Sequence, residues 1–258
     1  MKIIDWLKLP ETMEVKDLDD PATSVLHARI LQKKKFLRNL YIDFYTELKS
    51  LLVESDGKFL VELGSGGGFI KELIPNVVTS DIRELPNVDK VLSASQMPFD
   101  DNSVDGFVML DVLHHLSDLR GFFREAQRCL KDGGKVIMIE PASTVWSRFV
   151  YKNFHHEDFD AKAGWSVKQG GPLSGGNAAL AWIIFSRDRD IFEKEFSKLQ
   201  IIRIRVHTPF AYLLSGGFTV RQLVPSCTYG AVRLVEHLLS PANRFLGMFQ
   251  TIELQKIG

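Results

Sequence analysis

The chain has 258 residues, 45% hydrophobic and 25% charged, which is the balance of an ordinary globular protein long enough to bury a sizeable core. Its 32 lysines and arginines equal its 32 aspartates and glutamates, so no net field gathers nucleic acid along one face, and none is expected as a partner. The two cysteines, Cys129 and Cys227, follow no metal-ligand spacing and make no disulfide framework, which fits a reducing, cytoplasmic setting.

The opening Met1-Lys2-Ile3-Ile4-Asp5-Trp6 carries an acid within a short apolar stretch and lacks the apolar region of a secretory signal. Pro10, Asp19, Asp20 and Pro21 mark an irregular lead-in. A helix follows in which Leu37, Leu40, Tyr41, Phe44, Leu48, Leu51 and Leu52 recur at three- and four-residue steps, forming one apolar stripe. Lys33, Lys34, Lys35 and Arg38 fall mostly off the stripe and read as a solvated face. Residues 1–57 are expected to form this lead-in and a helix packed on the core, and residues 58–258 the main domain.

From Lys58 the pattern changes to short apolar runs alternating with helical stretches, the signature of a parallel sheet. Strands are predicted near residues 59–63, 77–82, 91–94, 106–110 and 135–140. A helix at about 118–130 is expected to close at Asp132-Gly133-Gly134, where glycine supplies positive φ. The alternation then stops over residues 142–186, an insertion long enough to be a lid or binding loop. A helix near 188–199, a strand at 201–206, a second insertion at 209–243 and a final strand at 249–254 complete the chain. The longest apolar run, from Ala178 to Phe185, falls far short of the roughly 20 residues that span a bilayer, so at most peripheral membrane contact is expected.

The sharpest local feature is Val61-Glu62-Leu63-Gly64-Ser65-Gly66-Gly67-Gly68-Phe69, where the first strand is expected to give way to a helix with free N–H groups at its start. Such a loop lets the backbone approach a nucleotide-like ligand. Asp81 ends the next strand, 17 residues after Gly64, where an acid accepts both ribose hydroxyl hydrogens. A dinucleotide fingerprint needs glycine where Phe69 stands, and a phosphate loop needs Lys-Ser or Lys-Thr where Phe69-Ile70 stands. NAD, ATP and GTP are thereby disfavoured.

Here the sequence resembles the class I S-adenosylmethionine-dependent methyltransferases, in particular the subgroup that includes the ubiquinone and menaquinone biosynthesis enzymes. Glu62-Leu63-Gly64-Ser65-Gly66-Gly67-Gly68 is similar to their acid-x-Gly-x-Gly-x-Gly loop, and the segment from Ser93 through Met97-Pro98-Phe99 to Asp105 is similar to their Asp-Ala-x-x-Leu-Pro-Phe-x-Asp-x-Ser-Phe-Asp run. The likeness continues through Val112-Leu113-His114-His115-Leu116 and Arg128-Cys129-Leu130-Lys131-Asp132-Gly133-Gly134, covering about residues 58 to 141. It implies an α/β, Rossmann-like fold: a mostly parallel seven-stranded sheet flanked by helices, with cap insertions after the fifth and sixth strands. It also implies S-adenosylmethionine as cofactor, S-adenosylhomocysteine as product and methyl transfer as the activity. Glu62, Gly64, Ser65, Gly66 and Gly68 would then cradle the methionine and ribose, Asp81 hold the ribose, Ile82 pack on adenine with Met97 nearby, and the Ala94 backbone meet the ring edge. Where the family commonly has aspartate this chain has Ser93, leaving the adenine amino group to Ser95 or water. Leu110 and Asp111 close the fourth strand, and their backbone would border the cofactor. Asp105 reads as a turn residue outside the site.

Transfer from a sulfonium is an in-line displacement of an already activated group, so alignment and exclusion of water are the protein's main contributions. A hydroxyl acceptor needs a base as well. His115 and His114 follow the fourth strand at the carboxyl edge of the sheet, and His155 lies in the first insertion; these three are the candidate bases, with Glu140 also well placed. His155 and His156 beside Glu157 suggest a metal at first sight, but adjacent histidines in a strand point to opposite faces and no third ligand is evident, so no metal is expected. The apolar segments 209–218 and 234–239 read as core packing or as walls of a hydrophobic pocket. The expected acceptor is a small or lipid-linked molecule methylated on oxygen. The competing reading is a non-catalytic S-adenosylmethionine sensor or partner subunit.

Overall fold

The computed structural model describes residues 7–13, 15–52, 57–154, 157–167 and 170–258. Two helices, α1 (Pro21–Lys33) and α2 (Lys35–Leu51), precede the sheet. Pro21 opens α1 at a position where its missing N–H costs nothing, and the Asp20 carboxylate accepts the Ala22 N–H at 2.8 Å. The stripe on α2 is buried as its spacing predicts, through Phe36, Leu37, Leu40, Tyr41, Phe44, Tyr45 and Leu48. The basic run beside it is not uniformly solvated. Lys34, at the joint between the helices, is buried and donates to the carbonyls of Gly217 and Val220, because the second insertion folds back over this joint.

Seven strands follow: β1 (Leu60–Leu63), β2 (Val78–Asp81), β3 (Lys90–Val91), β4 (Val104–Leu110), β5 (Leu130–Pro141), β6 (Leu199–His207) and β7 (Phe249–Lys256). They make one sheet in the order β3-β2-β1-β4-β5-β7-β6. β1 through β5 pair in parallel, whereas β7 runs antiparallel between β5 and β6. All four residues of β1 are buried, as continuous apolar strands covered on both faces should be, while β6 at the edge alternates with exposed positions. The order reverses between β1 and β4, and at such a switch point the loops leaving the carboxyl ends diverge and open a crevice.

Two elements depart from expectation. No α-helix follows the glycine loop; the chain makes only a 3-10 turn, Ile70–Glu72, before β2. The space is taken by the N-terminal helices: a Cβ on Gly67 would lie 2.6 Å from Ser24 O and Ala28 N of α1, and the Tyr45 ring of α2 meets Phe69 edge-on at 5.2 Å. The free N–H groups of a helix start are therefore not available to a ligand there. The helix α3 (Leu119–Cys129), capped by Asp118 accepting the Gly121 N–H, ends directly at Leu130 in extended backbone. Gly133 does take φ +78°, but inside the irregular start of β5, where the register against β4 shifts.

The first insertion holds α4 (Val145–Phe154) and a helical segment Leu180–Trp182 that widens into a π-turn, Ile183–Arg187, before α5 (Arg189–Glu195). Phe123 of α3, Phe185, Phe192, Phe196 and Trp165 form one aromatic cluster that anchors it. The second insertion holds α6 (Ala211–Ser215), α7 (Tyr229–Leu238) and α8 (Asn243–Leu246), and α8 packs on α4.

Candidate active site

The crevice at the switch point is a cavity of about 270 Å³. Its floor is the backbone after β1 and β2, its far wall the Leu92–Ser95 turn, its near wall Asp111, Val112 and His115 through Asp118, and its roof Val167 and Gly170–Leu173 of the first insertion. Gly64 makes the entry turn with φ +70°, and a side chain there would meet Val112 Cγ1 at 2.6 Å, so the position demands glycine twice over. The Gly66 N–H donates to Asp81 Oδ2 at 3.1 Å. Asp81 Oδ1 accepts from the Arg83 N–H at 3.0 Å and from Arg83 Nε at 3.2 Å. One carboxylate thus fixes the loop after β1 against the turn after β2, at the cavity floor.

Of the residues expected to hold the cofactor, Gly64, Gly66, Asp81, Ile82, Ala94 and Asp111 line this cavity. Glu62, Ser65, Gly68, Met97 and Leu110 stand behind it. The Ser65 hydroxyl accepts the Ser80 N–H at 3.1 Å, stapling the loop to β2. Gly68 lies under Tyr45, whose hydroxyl a Cβ would approach to 2.3 Å. Met97 is in the core, its N–H donating to Glu125 and its carbonyl accepting from Arg128. Glu62 is buried with Oε2 unpartnered, and that burial raises its carboxyl to about 7 against the pull of the Ser65 hydroxyl. Ser93 and Ser95 both line the far wall, their hydroxyls 3.0 Å apart. Sequence reasoning missed Arg83, whose Nη1 is buried without a partner, and the roof residues Gly170–Leu173, whose only sequence signal was their glycine content in a long insertion.

A charged cluster borders the near wall. Glu140, fully buried at the end of β5, accepts the N–H groups of Val112 and Leu113 with Oε1 and lies 2.6 Å from His114 Nδ1 with Oε2. His114 is fully buried; its burial favours the neutral ring, but Glu140 and Glu157 outweigh that and push its pKa well above 6.5. His115 Nδ1 is 2.7 Å from the Gly175 carbonyl, which only accepts, so Nδ1 carries the proton and Nε2 the lone pair. Burial, helped by the charge on His114, lowers the His115 pKa to about 4 and keeps this ring neutral. Asp111 sits at φ +63°, and burial moves its carboxyl upward. His155 lies outside the described residues. The segments 209–218 and 234–239 do not line the cavity: Tyr212, Leu213, Leu214 and Phe218 pack on the core, and Leu234, Val235 and Leu238 are exposed.

A nucleoside-sized crevice with a carboxylate on its floor and a neutral imidazole on its wall is equipped to hold a sulfonium donor and to meet an incoming nucleophile. The sequence of residues 61–138 matches the family model described as a methyltransferase domain. The chain carries a methyltransferase domain and is an S-adenosylmethionine-dependent enzyme. Among solved structures, the methyltransferase shares its fold with an S-adenosylmethionine-dependent methyltransferase from Thermotoga maritima (18% identity, TM-score 0.52, 84% of this chain and 89% of that one). It shares it also with a candidate methyltransferase from Bacillus halodurans C-125 (17% identity, TM-score 0.50, 83% and 99%). Geranyl diphosphate C-methyltransferase from Streptomyces coelicolor A3(2), crystallised with S-adenosyl-L-homocysteine, is a further similar structure (14% identity, TM-score 0.49, 86% and 79%). No curated protein matches the sequence. S-adenosylmethionine is the cofactor, and the reading as a non-catalytic sensor gives way to that of an enzyme. Among the described residues, no helix is long and apolar enough to cross a membrane.

Proposed function

We propose that this methyltransferase acts in the cytoplasm on an oxygen of a small or lipid-linked acceptor that carries an apolar part, and not on nucleic acid. The observation that carries the reading is His115: a neutral imidazole on the cavity wall, its Nδ1 proton engaged by Gly175, so that Nε2 is the nitrogen able to take a proton. A hydroxyl becomes acidic as its oxygen attacks the methyl group, and a neutral base beside it lowers that barrier. Leu63, Leu92, Val112, Leu116 and Leu173 make most of the wall apolar, which favours a hydrophobic acceptor. Phe149 and Phe154 on α4 and Leu234, Leu238 and Phe245 on the second insertion are each at least half exposed, apolar surface open to a lipid-bearing molecule. The motif resemblance to the ubiquinone and menaquinone biosynthesis enzymes points to the same chemical class. Asp81, Gly64, Gly66, Ile82, Ala94 and Asp111 are assigned to the donor, and Glu62, Ser65, Gly68, Met97 and Leu110 to support of the loop and wall behind it.

The test is incubation of the enzyme with methyl-labelled S-adenosylmethionine and either the lipid or the aqueous fraction of a cell extract. Label is expected in the lipid fraction as an ether, stable to base. His115→Ala should lower turnover by about 10²- to 10⁴-fold, the scale for loss of a general base, while S-adenosylhomocysteine affinity stays within a few-fold. Label on protein or nucleic acid, or on carbon or nitrogen of the product, would overturn the acceptor assignment.

A further inference from the structure

The paired histidines do something that base chemistry at one of them leaves unexplained. They follow one another in the 3-10 turn Leu113–His115, yet their rings lie 4.2 Å apart and both direct Nε2 at one carboxylate, Glu157 of the first insertion. His114 Nε2 is 3.2 Å from Glu157 Oε2, and His115 Nε2 is 3.6 Å from Glu157 Oε1. The His114 Nε2 contact is not a hydrogen bond, and that nitrogen is sealed from water with no other partner. On His115 the lone pair, not a proton, faces the carboxylate, since the proton is on Nδ1. That lone pair and the buried Nε2 of His114 converge on one carboxylate, as the ligand atoms of a cation site do.

We propose that His114, His115 and Glu157 bind a divalent first-row transition-metal ion of the zinc or cobalt kind at the wall of the donor cavity. Bonds of about 2.1 Å at tetrahedral angles place neighbouring ligand atoms about 3.4 Å apart, and the distances here are 3.2 and 3.6 Å, with all three ligand atoms within 4.8 Å of one another. The outer contacts are those of a metal site. His114 Nδ1 faces a buried carboxylate at 2.6 Å and His115 Nδ1 a backbone carbonyl at 2.7 Å, so each ring is held with Nε2 as its ligand atom. Glu140 fills the outer role and no other, because its oxygens are already engaged by Val112, Leu113 and His114. Two imidazoles and one carboxylate select zinc-like ions over magnesium or calcium and leave a coordination position open. An oxygen ligand suits that position, and an ion there would replace His115 Nε2, which it occupies, in stabilising the acceptor oxygen, so the inference keeps the oxygen-acceptor reading and exchanges its base for a metal. The ligands also join the end of β4 to the first insertion, since Glu157 lies beyond the segment that the motif resemblance covers.

The test uses the untagged full-length enzyme, stripped with a chelator and titrated with Zn²⁺ by calorimetry and with Co²⁺ by visible absorption, in the absence of any acceptor. One equivalent is expected, with the visible bands of a four- or five-coordinate cobalt centre. His115→Asn and Glu157→Gln, which touch the less buried ligands, should each weaken binding at least ten-fold while circular dichroism stays that of the folded enzyme. Absence of stoichiometric binding to the folded wild type, or binding that survives both substitutions, overturns the site. Because no acceptor is present, failure here leaves the acceptor assignment standing, and an acceptor methylated on carbon or nitrogen leaves the titration unchanged.

Discussion

Asp81 shows how much one carboxylate is asked to do. It accepts the Gly66 N–H and two donors of Arg83 while facing the cavity floor, so its contacts order the loop before a donor arrives. Asp81→Ala is expected to weaken S-adenosylhomocysteine binding by about 1–3 kcal/mol, the scale for losing hydrogen bonds to a charged group, as read by calorimetry. Unchanged affinity in a folded variant would contradict a role in holding the ribose. Gly64→Ala tests the neighbouring constraint: positive φ and a Cβ placed 2.6 Å from Val112 both oppose it, so a loss of at least about 1 kcal/mol in stability and a collapse of cofactor affinity are expected in denaturant and binding titrations. Both residues were legible from sequence because each ends a strand at a recognisable spacing. Arg83 was not, since its importance comes from folding back on Asp81, which no linear spacing announces.

At the scale of elements, periodicity carried the strands well because five of them are buried runs bounded by turns, and the stripe on α2 is a plain 3.6-residue repeat. What failed were features fixed by neighbours far along the chain. The helix expected after the glycine loop is replaced by a 3-10 turn because α1 and α2 occupy its place, and Lys34 is drawn inward by carbonyls nearly two hundred residues away. His207 at the end of β6 is a third such case. It is buried under Phe44, with Nδ1 2.8 Å from the Thr208 hydroxyl and Nε2 2.9 Å from the Thr251 hydroxyl of β7. Burial lowers its pKa from 6.5 to about 3, with Glu47 opposing and Arg205 and Arg233 assisting. Between those two pH values the unfolded chain binds a proton that the folded chain does not, so this contribution is full above about pH 6.5 and declines as pH falls. Relative to His207→Gln, the wild type should lose about 2 kcal/mol of stability between pH 6.5 and 5, at about 1.4 kcal/mol per pH unit. Urea titrations of both proteins across that range read it, and a difference independent of pH would show that the ring is not held neutral.

The molecule as a whole builds its candidate site from parts of the chain that are remote in sequence. The floor and walls belong to the central strands, but the roof, Gly170–Leu173, belongs to the first insertion, and the lead-in before α1 holds that roof down. Asp19 Oδ1 accepts the N–H groups of Leu173 at 2.7 Å and Ser174 at 3.0 Å, and the Ser174 hydroxyl donates to Oδ2. A Cβ on Gly171 would strike this carboxylate at 2.2 Å, so the glycine lets the clasp close. The length of the insertion suggested a lid or binding loop; that an acid of the lead-in would latch it follows only from the folded contacts of Asp19. A donor sealed beneath such a roof leaves only when the latch opens, and the latch is partly exposed, so water offsets much of its strength. Asp19→Ala should therefore speed S-adenosylhomocysteine release by about five-fold, equivalent to about 1 kcal/mol for charged hydrogen bonds weakened by solvent. The same variant should be cut faster by protease within residues 170–176, with melting temperature nearly unchanged, because the roof opens without unfolding the sheet. Release rates measured by stopped flow that match the wild type would mean that the roof is held by Val167 and Pro172 packing over the cavity instead of by the lead-in.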